Sequence, residues 1–360
     1  FSIELAPSRS KDVQLNLPSM QTNDEWMLNM YAYTKTETKA IPKQHEIARE
    51  QFGGKSQQFF TQQLINEGNL IIEVKENLLQ FRSGSVSGSF NTKLGKFMSY
   101  KNKDHNIMTS FPEPYFWRAP TDNDFGNQMP QKLGFWRNAH QLLQLDTVKV
   151  ATQNAEGIVI ECLYKMTAVD IPYAIIYSIL NNGAIKVEAS IHFQNKKLPE
   201  LPRFGMRLTL PKLYNKIDFY GRGPWENYAD RNTASFIGIY QLKAAEQFVS
   251  NYVRPQENGN KTDIRWVQLY DEQNRGIKVT GLQPISFSAL PYTAEDLDPG
   301  NTKKQQHPSD LSERKFISLH IDLSQRGVGG DNSWGALPHS QYLLKNNQYQ
   351  YSYIVEPILK

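Results

Sequence analysis

The chain has 360 residues, 40 of them basic and 36 acidic, so its formal net charge is only +4. Hydrophobic residues make up 39% and aromatic residues 12%, enough to build a core and too rich for a disordered polymer. The charges are spread without a basic stripe, which argues against a nucleic-acid partner, and no apolar run approaches the about 18 residues that span a bilayer.

The first five residues, Phe1-Ser2-Ile3-Glu4-Leu5, lack an initiator Met and read like the middle of a strand, so the sequence is expected to begin inside a domain. Residues 25–33 alternate Trp26, Leu28 and Met30 with other side chains, which predicts a strand. Residues 45–52 offer at most a short helical turn. Gly53-Gly54-Lys55-Ser56-Gln57-Gln58 and Asn66-Glu67-Gly68-Asn69 are linker-like and place a boundary between residues 1–58 and 59–360. The first part is too small for an independent sandwich of about 100 residues, and reads as the tail of an immunoglobulin-like domain.

Strand patterns then dominate. The single cysteine, Cys162, lies in an apolar run over 157–166 and is expected to be a buried thiol. Residues 173–180 form an apolar run, Asn181-Asn182-Gly183 is hairpin chemistry, and 184–193 alternates strictly, with Ile185, Val187, Ala189 and Ile191 on one face. A second hairpin is predicted from 266–270 and 276–280, turning at 271–275. Residues 293–297 form at most a helical turn. Further on, Ile317, Leu319 and Ile321 alternate with Ser318, His320 and Asp322, which places His320, like His192, on an exposed strand face. The last strand covers 349–355. No repeat of about 20–50 residues marks a solenoid or propeller. The expected class is all-β.

Four loops concentrate aromatic, glycine and charged residues. They are Phe116-Trp117-Arg118-Ala119-Pro120-Thr121-Asp122-Asn123-Asp124-Phe125-Gly126, residues 220–231, residues 253–260, and Gly327-Val328-Gly329-Gly330-Asp331-Asn332-Ser333-Trp334-Gly335. Aromatic faces stack on sugar C–H surfaces, while Asp, Asn, Glu and Arg hydrogen-bond hydroxyls, so this palette suits a carbohydrate. The same residues also serve a plainer purpose, in which Arg118 and Arg231 pair with carboxylates to order the loops and Gly223-Pro224 makes a turn. Glycoside hydrolysis needs two carboxyl groups about 5–9.5 Å apart. Asp122, Asp124, Glu226, Asp230 and Glu257 are available, but the sequence does not pair them. The seven histidines are scattered, with no metal-binding pair, and no nucleophile elbow or phosphate-binding glycine loop occurs.

Taken in order, the loops resemble the C-terminal region of LacZ-type β-galactosidases of glycoside hydrolase family 2. Trp117-Arg118-Ala119-Pro120-Thr121-Asp122-Asn123-Asp124 fits that family's R-A-P-x-D-N-D signature. Gly221-Arg222-Gly223-Pro224-Trp225-Glu226-Asn227-Tyr228-Ala229-Asp230-Arg231 fits G-x-G-P-x-E-N-Y-x-D-R. Pro255-Gln256-Glu257-Asn258-Gly259 fits P-x-E-N-G, and Gly329-Gly330-Asp331-Asn332-Ser333-Trp334 fits G-G-D-D/N-S-W. The resemblance covers residues 67–360, with Ile41-Pro42 and His45-Glu46-Ile47-Ala48 matching the end of the preceding immunoglobulin-like domain. It departs at Asn332, where Asp is common, and at Arg254 before Pro255.

The resemblance implies a large antiparallel β-supersandwich, similar to galactose mutarotase, preceded by part of an immunoglobulin-like sandwich. It places both catalytic glutamates on a TIM barrel for which this sequence has no alternating strands and helices. No catalytic residue is therefore assigned here, the fragment alone is expected to be inactive, and the Mg2+ and Na+ of the family belong to that barrel. No cofactor is expected in the fragment, and a cation on the carbonyls of loop 255–259 is a weak alternative. Trp334 is the expected sugar-contacting residue, an aglycone platform reaching toward the barrel. Asp331 and Asn332 are expected to hold its loop, with Arg118, Asp122, Asp124, Glu226, Arg231, Glu257 and Asn258 as loop-ordering support. The implied partners are β-galactoside sugars and the other domains of a longer chain, leaving room for a homo-oligomer. Nothing in the sequence chooses between cytoplasm and periplasm. Two other readings stay open: a stand-alone carbohydrate-binding module, and a mutarotase-like epimerase, which needs a His and a carboxylate facing one pocket.

Overall fold

A computed structural model describes residues 2–17, 24–54, 59–60, 66–332 and 334–358. The chain divides into two compact units, residues 1–59 and 60–360. In the first, β1 (Trp26–Tyr33) pairs antiparallel with β2 (Glu46–Gly54), from Trp26 opposite Gly54 to Tyr33 opposite Glu46. The helical turn expected over 45–52 is therefore a strand. Pairing with β1 supplies the backbone partners that local propensity alone does not reveal. Ser2–Leu5 is likewise not a strand: Ile3 and Leu5 are exposed and find no ladder among the described residues. Of the expected linker, Gly53 and Gly54 end β2, while residues 55–58 lie outside the described residues.

The second unit is all-β, as the patterning requires. A five-stranded antiparallel sheet comprises β3 (Ile71–Lys75), β4 (Leu78–Ser83), β5 (Val86–Asn91), β6 (Lys96–Asn102) and β7 (His105–Asn106) in that order. The remaining strands form one twelve-stranded sheet. They are β8 (Glu113–Tyr115), β9 (Leu143–Val150), β10 (Gly157–Met166), β11 (Ile171–Leu180), β12 (Ile185–His192) and β13 (Arg203–Pro211). After these come β14 (Lys216–Gly223), β15 (Phe236–Lys243), β16 (Lys261–Tyr270), β17 (Gly276–Leu290), β18 (Phe316–Gln325) and β19 (Gln348–Pro357).

The main path runs β15-β14-β16-β17-β19-β12-β11-β10-β9. A branch, β18-β13-β8, leaves it at β17. The long β17 serves both: Ile277–Gly281 pairs with β19, and Ser286–Leu290 pairs with β18. Between these halves the pairing with β16 shifts register. A Cβ on Gly281 would come 2.5 Å from the Gln283 carbonyl, and Pro284, which has no N–H to leave unpaired, sits exposed. Glycine and proline at such a point let one strand serve both the main path and its branch.

The core is legible in the alternation. Ile185, Val187, Ala189 and Ile191 of β12 are buried, and each aliphatic side chain of this size contributes about 1.5–3 kcal/mol. The hairpin to β11 turns at Gly183, whose φ of +84° suits glycine. Cys162 is fully buried in β10, and burial pushes its thiol up to about 12. Among the described residues the longest α-helix is Asp122–Gly126, and residues 293–297 do make a single helical turn, Ala294–Leu297. No described helix is long and apolar enough to cross a membrane.

β18 departs from its pattern. His320 is 5% exposed and Asp322 0%, so the polar face expected in solvent is interior. The ring of Tyr115 lies against His320, and the Arg203 guanidinium meets both His320 and Asp322 and ties them to Glu257 of the third loop.

Candidate functional site: four converging loops and a projecting tryptophan

Asp124 is the hub of the first loop. Thr121 caps the helix Asp122–Gly126, and Asp124 returns a bond to the Thr121 N–H at 2.8 Å, a capping box that fixes the carboxylate. That carboxylate, 1% exposed, accepts from Arg118 Nη1 at 2.5 Å and Nη2 at 3.0 Å, and from Arg326 Nη1 at 2.8 Å. Arg326 in turn donates from Nε to Glu200 Oε1 at 2.8 Å. Two guanidiniums and two carboxylates thus cancel in the interior. Burial would lower the Arg118 guanidinium, but the Asp124 carboxylate holds it above its ordinary value. Arg118 Nη2 also donates to the Gly327 carbonyl at 3.1 Å, tying this hub to the last loop.

The Glu-Asn-Tyr loop and the Glu-Asn-Gly loop fasten each other. Glu226 accepts from Arg231 Nη2 at 2.7 Å, from the Tyr252 hydroxyl, and from the Gly259 N–H at 2.8 Å. Gly259 has φ +75°, and a Cβ there would sit 2.9 Å from the Gln247 carbonyl, so glycine is required. Asn227 accepts the Thr262 N–H at 2.9 Å and donates to the Arg222 and Trp225 carbonyls at 3.0 Å each. Asn258 exchanges two bonds with the backbone of Val249, at 2.8 and 3.0 Å. Asp122 meets Arg254 Nε at 3.2 Å and Lys303 Nζ at 2.7 Å.

Glu257 points inward. Arg203 Nη2 donates to both its oxygens, at 3.0 and 3.1 Å, while Arg203 Nη1 lies 2.7 Å from His320 Nδ1 and Nε lies 3.4 Å from Asp322 Oδ2. Burial pushes Asp322 up to about 7 against the pull of Arg203, and raises Glu257 as well. Burial and then Arg203 hold His320 well below the ordinary imidazole value. A histidine and carboxylates do meet here, but one arginine holds them all.

The fourth loop is fastened at its base and free at its tip. Asp230 Oδ2 accepts the Gly329 N–H at 2.7 Å, Asn123 Nδ2 donates to Val328 O at 3.2 Å, and Gly327 N–H donates to Tyr342 O at 2.8 Å. Asp331 Oδ1 lies 2.8 Å from His339 Nε2, and Asn332 Oδ1 accepts the Trp334 N–H at 2.9 Å. Trp334 itself is 89% exposed, beside Gly335 at φ +109°. Ser333 lies outside the described residues. A cavity of about 270 Å³ opens where the loops meet, lined in part by Asp122, Tyr228, Arg231, Glu257 and Gly329.

The structure therefore brings Arg118, Asp122, Asp124, Glu226, Arg231, Glu257, Asn258, Asp331 and Asn332 into one assembly of loops, and leaves Trp334 projecting from it. Arg203, Asp322, Arg326 and Tyr252 belong to the same assembly, and the motifs did not single them out. The signal for Arg326 is its place immediately before the glycine run, a cation with no acidic neighbour in sequence. Among the described residues no group of three or more His, Cys, Asp or Glu is placed to hold a metal ion.

Residues 82–355 match the family described as β-galactosidase small chain, and residues 1–53 match β-galactosidase domain 4. The β-galactosidase of Priestia megaterium is 30% identical over 363 residues, which is 99% of this chain and 34% of that protein. The β-galactosidase small subunit of Latilactobacillus sakei is 31% identical over 256 residues, covering 62% of this chain and 78% of the subunit. The chain spans between a quarter and about a third of the length of the longer curated relatives it matches. Among solved structures, galactose 1-epimerase from Lactobacillus acidophilus NCFM is 8% identical with a TM-score of 0.39, covering 81% of this chain and 98% of that one.

Proposed function

Since this chain belongs to the β-galactosidase small-chain family, we propose that it is the non-catalytic part of a β-galactosidase that hydrolyses terminal β-galactosides with retention of configuration. In this reading the acid and the nucleophile lie on a barrel outside this sequence, as do the Mg2+ and Na+ of the reaction. The chain contributes Trp334 to the aglycone end of the sugar site, and its loop surface meets the other domains or a separate large subunit.

The observation that carries the reading is the contrast within the four loops. The five carboxylates that could act as an acid and nucleophile pair are engaged: Asp122 by Arg254 and Lys303, Asp124 by two arginines, Glu226 by Arg231, Tyr252 and a backbone N–H, Asp230 by the Gly329 N–H, and Glu257 by Arg203. Trp334, by contrast, is a rigid indole held out in solvent on a loop whose base is fixed. An exposed indole offers a flat apolar face on which a sugar ring can stack.

Two measurements test this. The 360-residue protein alone should not turn over a chromogenic β-galactoside, whereas the longer enzyme should; turnover by the 360 residues alone would make Glu226 or Glu257 catalytic and end the proposal. In the longer enzyme, Trp334→Ala should weaken acceptor-side sugar binding by about 1–3 kcal/mol, roughly 5- to 150-fold, by analogy with stacking on nucleobases. Trp334→Phe should restore part of that loss. Identical kinetics for Trp334→Ala across several aglycones would remove Trp334 from the site.

A further inference from the structure

The turn between β6 and β7 and the turn between β16 and β17 line a cavity of about 240 Å³, which shares no residue with the four loops. Among the described residues its wall holds Lys103, Arg275 and His105, and no carboxylate. Lys103 Nζ makes no hydrogen bond or ion pair among the described residues. Arg275 is held from one side. Its Nε lies 2.8 Å and its Nη2 2.7 Å from Asp271 Oδ2, and Nη2 also donates to Gln273 Oε1 at 3.1 Å, which leaves Nη1 unbonded. Asp271 Oδ1 accepts the N–H groups of Gln273 and Arg275, at 2.9 Å each, so the turn that carries the guanidinium is fixed. Asp271 thus cancels one of the two cations, and Lys103 remains uncompensated.

Tyr214, which follows β13, adds a third donor to the same wall. It is 3% exposed, and its hydroxyl has no hydrogen-bond partner among the described residues although the oxygen is not sealed from solvent. Burial, and after it the charge of Asp271, raise this hydroxyl above its ordinary value, so it keeps its proton and donates at neutral pH. A cation entering here would meet Lys103 and Arg275 with no carboxylate of the wall to hold it. A neutral ligand would leave both charges unused. An anion gains charge-assisted bonds from Lys103 Nζ and Arg275 Nη1, with the Tyr214 hydroxyl as a third. These donors stand on three separate segments, and a tetrahedral oxyanion has an oxygen for each, where a carboxylate has only two. We infer that this cavity is an anion site that binds one phosphate group, independent of the sugar platform assigned to Trp334.

The test is isothermal titration calorimetry of the 360-residue protein at neutral pH and fixed ionic strength, with sodium phosphate and separately with galactose 6-phosphate. Saturable millimolar binding is expected, and sodium chloride at the same concentration should give none. Tighter binding of the inorganic ion assigns the cavity to free phosphate, and equal or tighter binding of the ester assigns it to a phosphorylated small molecule; both uphold the site. Lys103→Gln should weaken binding at least about fivefold and Tyr214→Phe severalfold, although neither deletes a side-chain hydrogen bond of the folded protein. Lys93→Gln, in the exposed turn between β5 and β6, should change it less than about twofold. Absence of saturable binding of either compound up to about 100 mM overturns the inference. So does binding that survives Lys103→Gln unchanged, or that falls equally with Lys93→Gln, since the ion would then sit on the surface at large. If Tyr214→Phe does not fold, Lys103→Gln, on an exposed turn, decides the matter alone.

Discussion

Asp124→Ala should cost the larger unit about 3–5 kcal/mol of unfolding free energy, among the largest losses available from a single substitution in this chain. The magnitude comes from what the change leaves behind rather than from what it removes. Arg118 and Arg326 are both essentially inaccessible to solvent, and each is held by Asp124 at hydrogen-bonding distance. Without the carboxylate, Arg326 keeps Glu200 as its ion-pair partner, while Arg118 is left with the Gly327 carbonyl and the more distant charge of Glu257. The capping box at Thr121 is lost at the same stroke. Guanidinium denaturation followed by tryptophan fluorescence reads the loss, and a change below about 1 kcal/mol would mean that water enters and solvates both arginines.

Asp322 should make a contribution to stability that falls as pH rises through the acidic and neutral range. Its carboxyl titrates near 7 in the fold and near 3.8 when unfolded. Between those values the folded state keeps a proton that the unfolded chain has already released. The contribution of Asp322 is therefore largest below about pH 4, declines up to about pH 7, and stays reduced above it. Arg203 does not prevent this, because it also serves both oxygens of Glu257 and the ring of His320. Asp322→Asn cannot ionise. Measured from pH 4 to pH 8, the wild-type protein should lose roughly 4 kcal/mol relative to that variant. Parallel stability curves for the two proteins would show that Asp322 is not protonated in the fold.

Much of the fold was legible because one face of a strand was dry and the other wet. Residues 184–193 alternate in sequence and alternate in burial, and the Asn-Asn-Gly turn beside them permits only a tight reversal. The same rule misleads at β18. Ser318, His320 and Asp322 read as a solvent face, yet they turn toward Arg203, Arg207 and the loops. Alternation reports that two faces differ, and does not report that the polar one is wet. In residues 45–52 the error runs the other way. Glu46, Glu50 and the apolar residues between them resemble a helical turn, and only the ladder to β1 makes them a strand.

The loops were legible as chemistry but not as a network. Arg118 and Asp124 are six residues apart, so their pairing could be anticipated. Arg326 reaches Asp124 across about two hundred residues, and Arg203 gathers Glu257, His320 and Asp322 from two separate segments. No local pattern encodes such partners, because they are chosen by which strands the sheet places side by side. The exposure of Trp334 was the reverse case, since a bulky side chain between Asn332 and Gly335 has no neighbour in sequence to bury it.

The place of β19 in the sheet bears on how the protein is made. It lies between β12 and β17, setting Val355 opposite both Ile185 and Val279. As the chain leaves the ribosome, β9–β12 and β14–β17 are synthesised long before the strand that joins them. Until then each half presents an unpaired edge of apolar strand, the kind of surface that chaperones shield and that aggregates feed on. Only when β19 has been made can the two halves close into one sheet, so a chain that lacks it folds to two half-sheets with open edges.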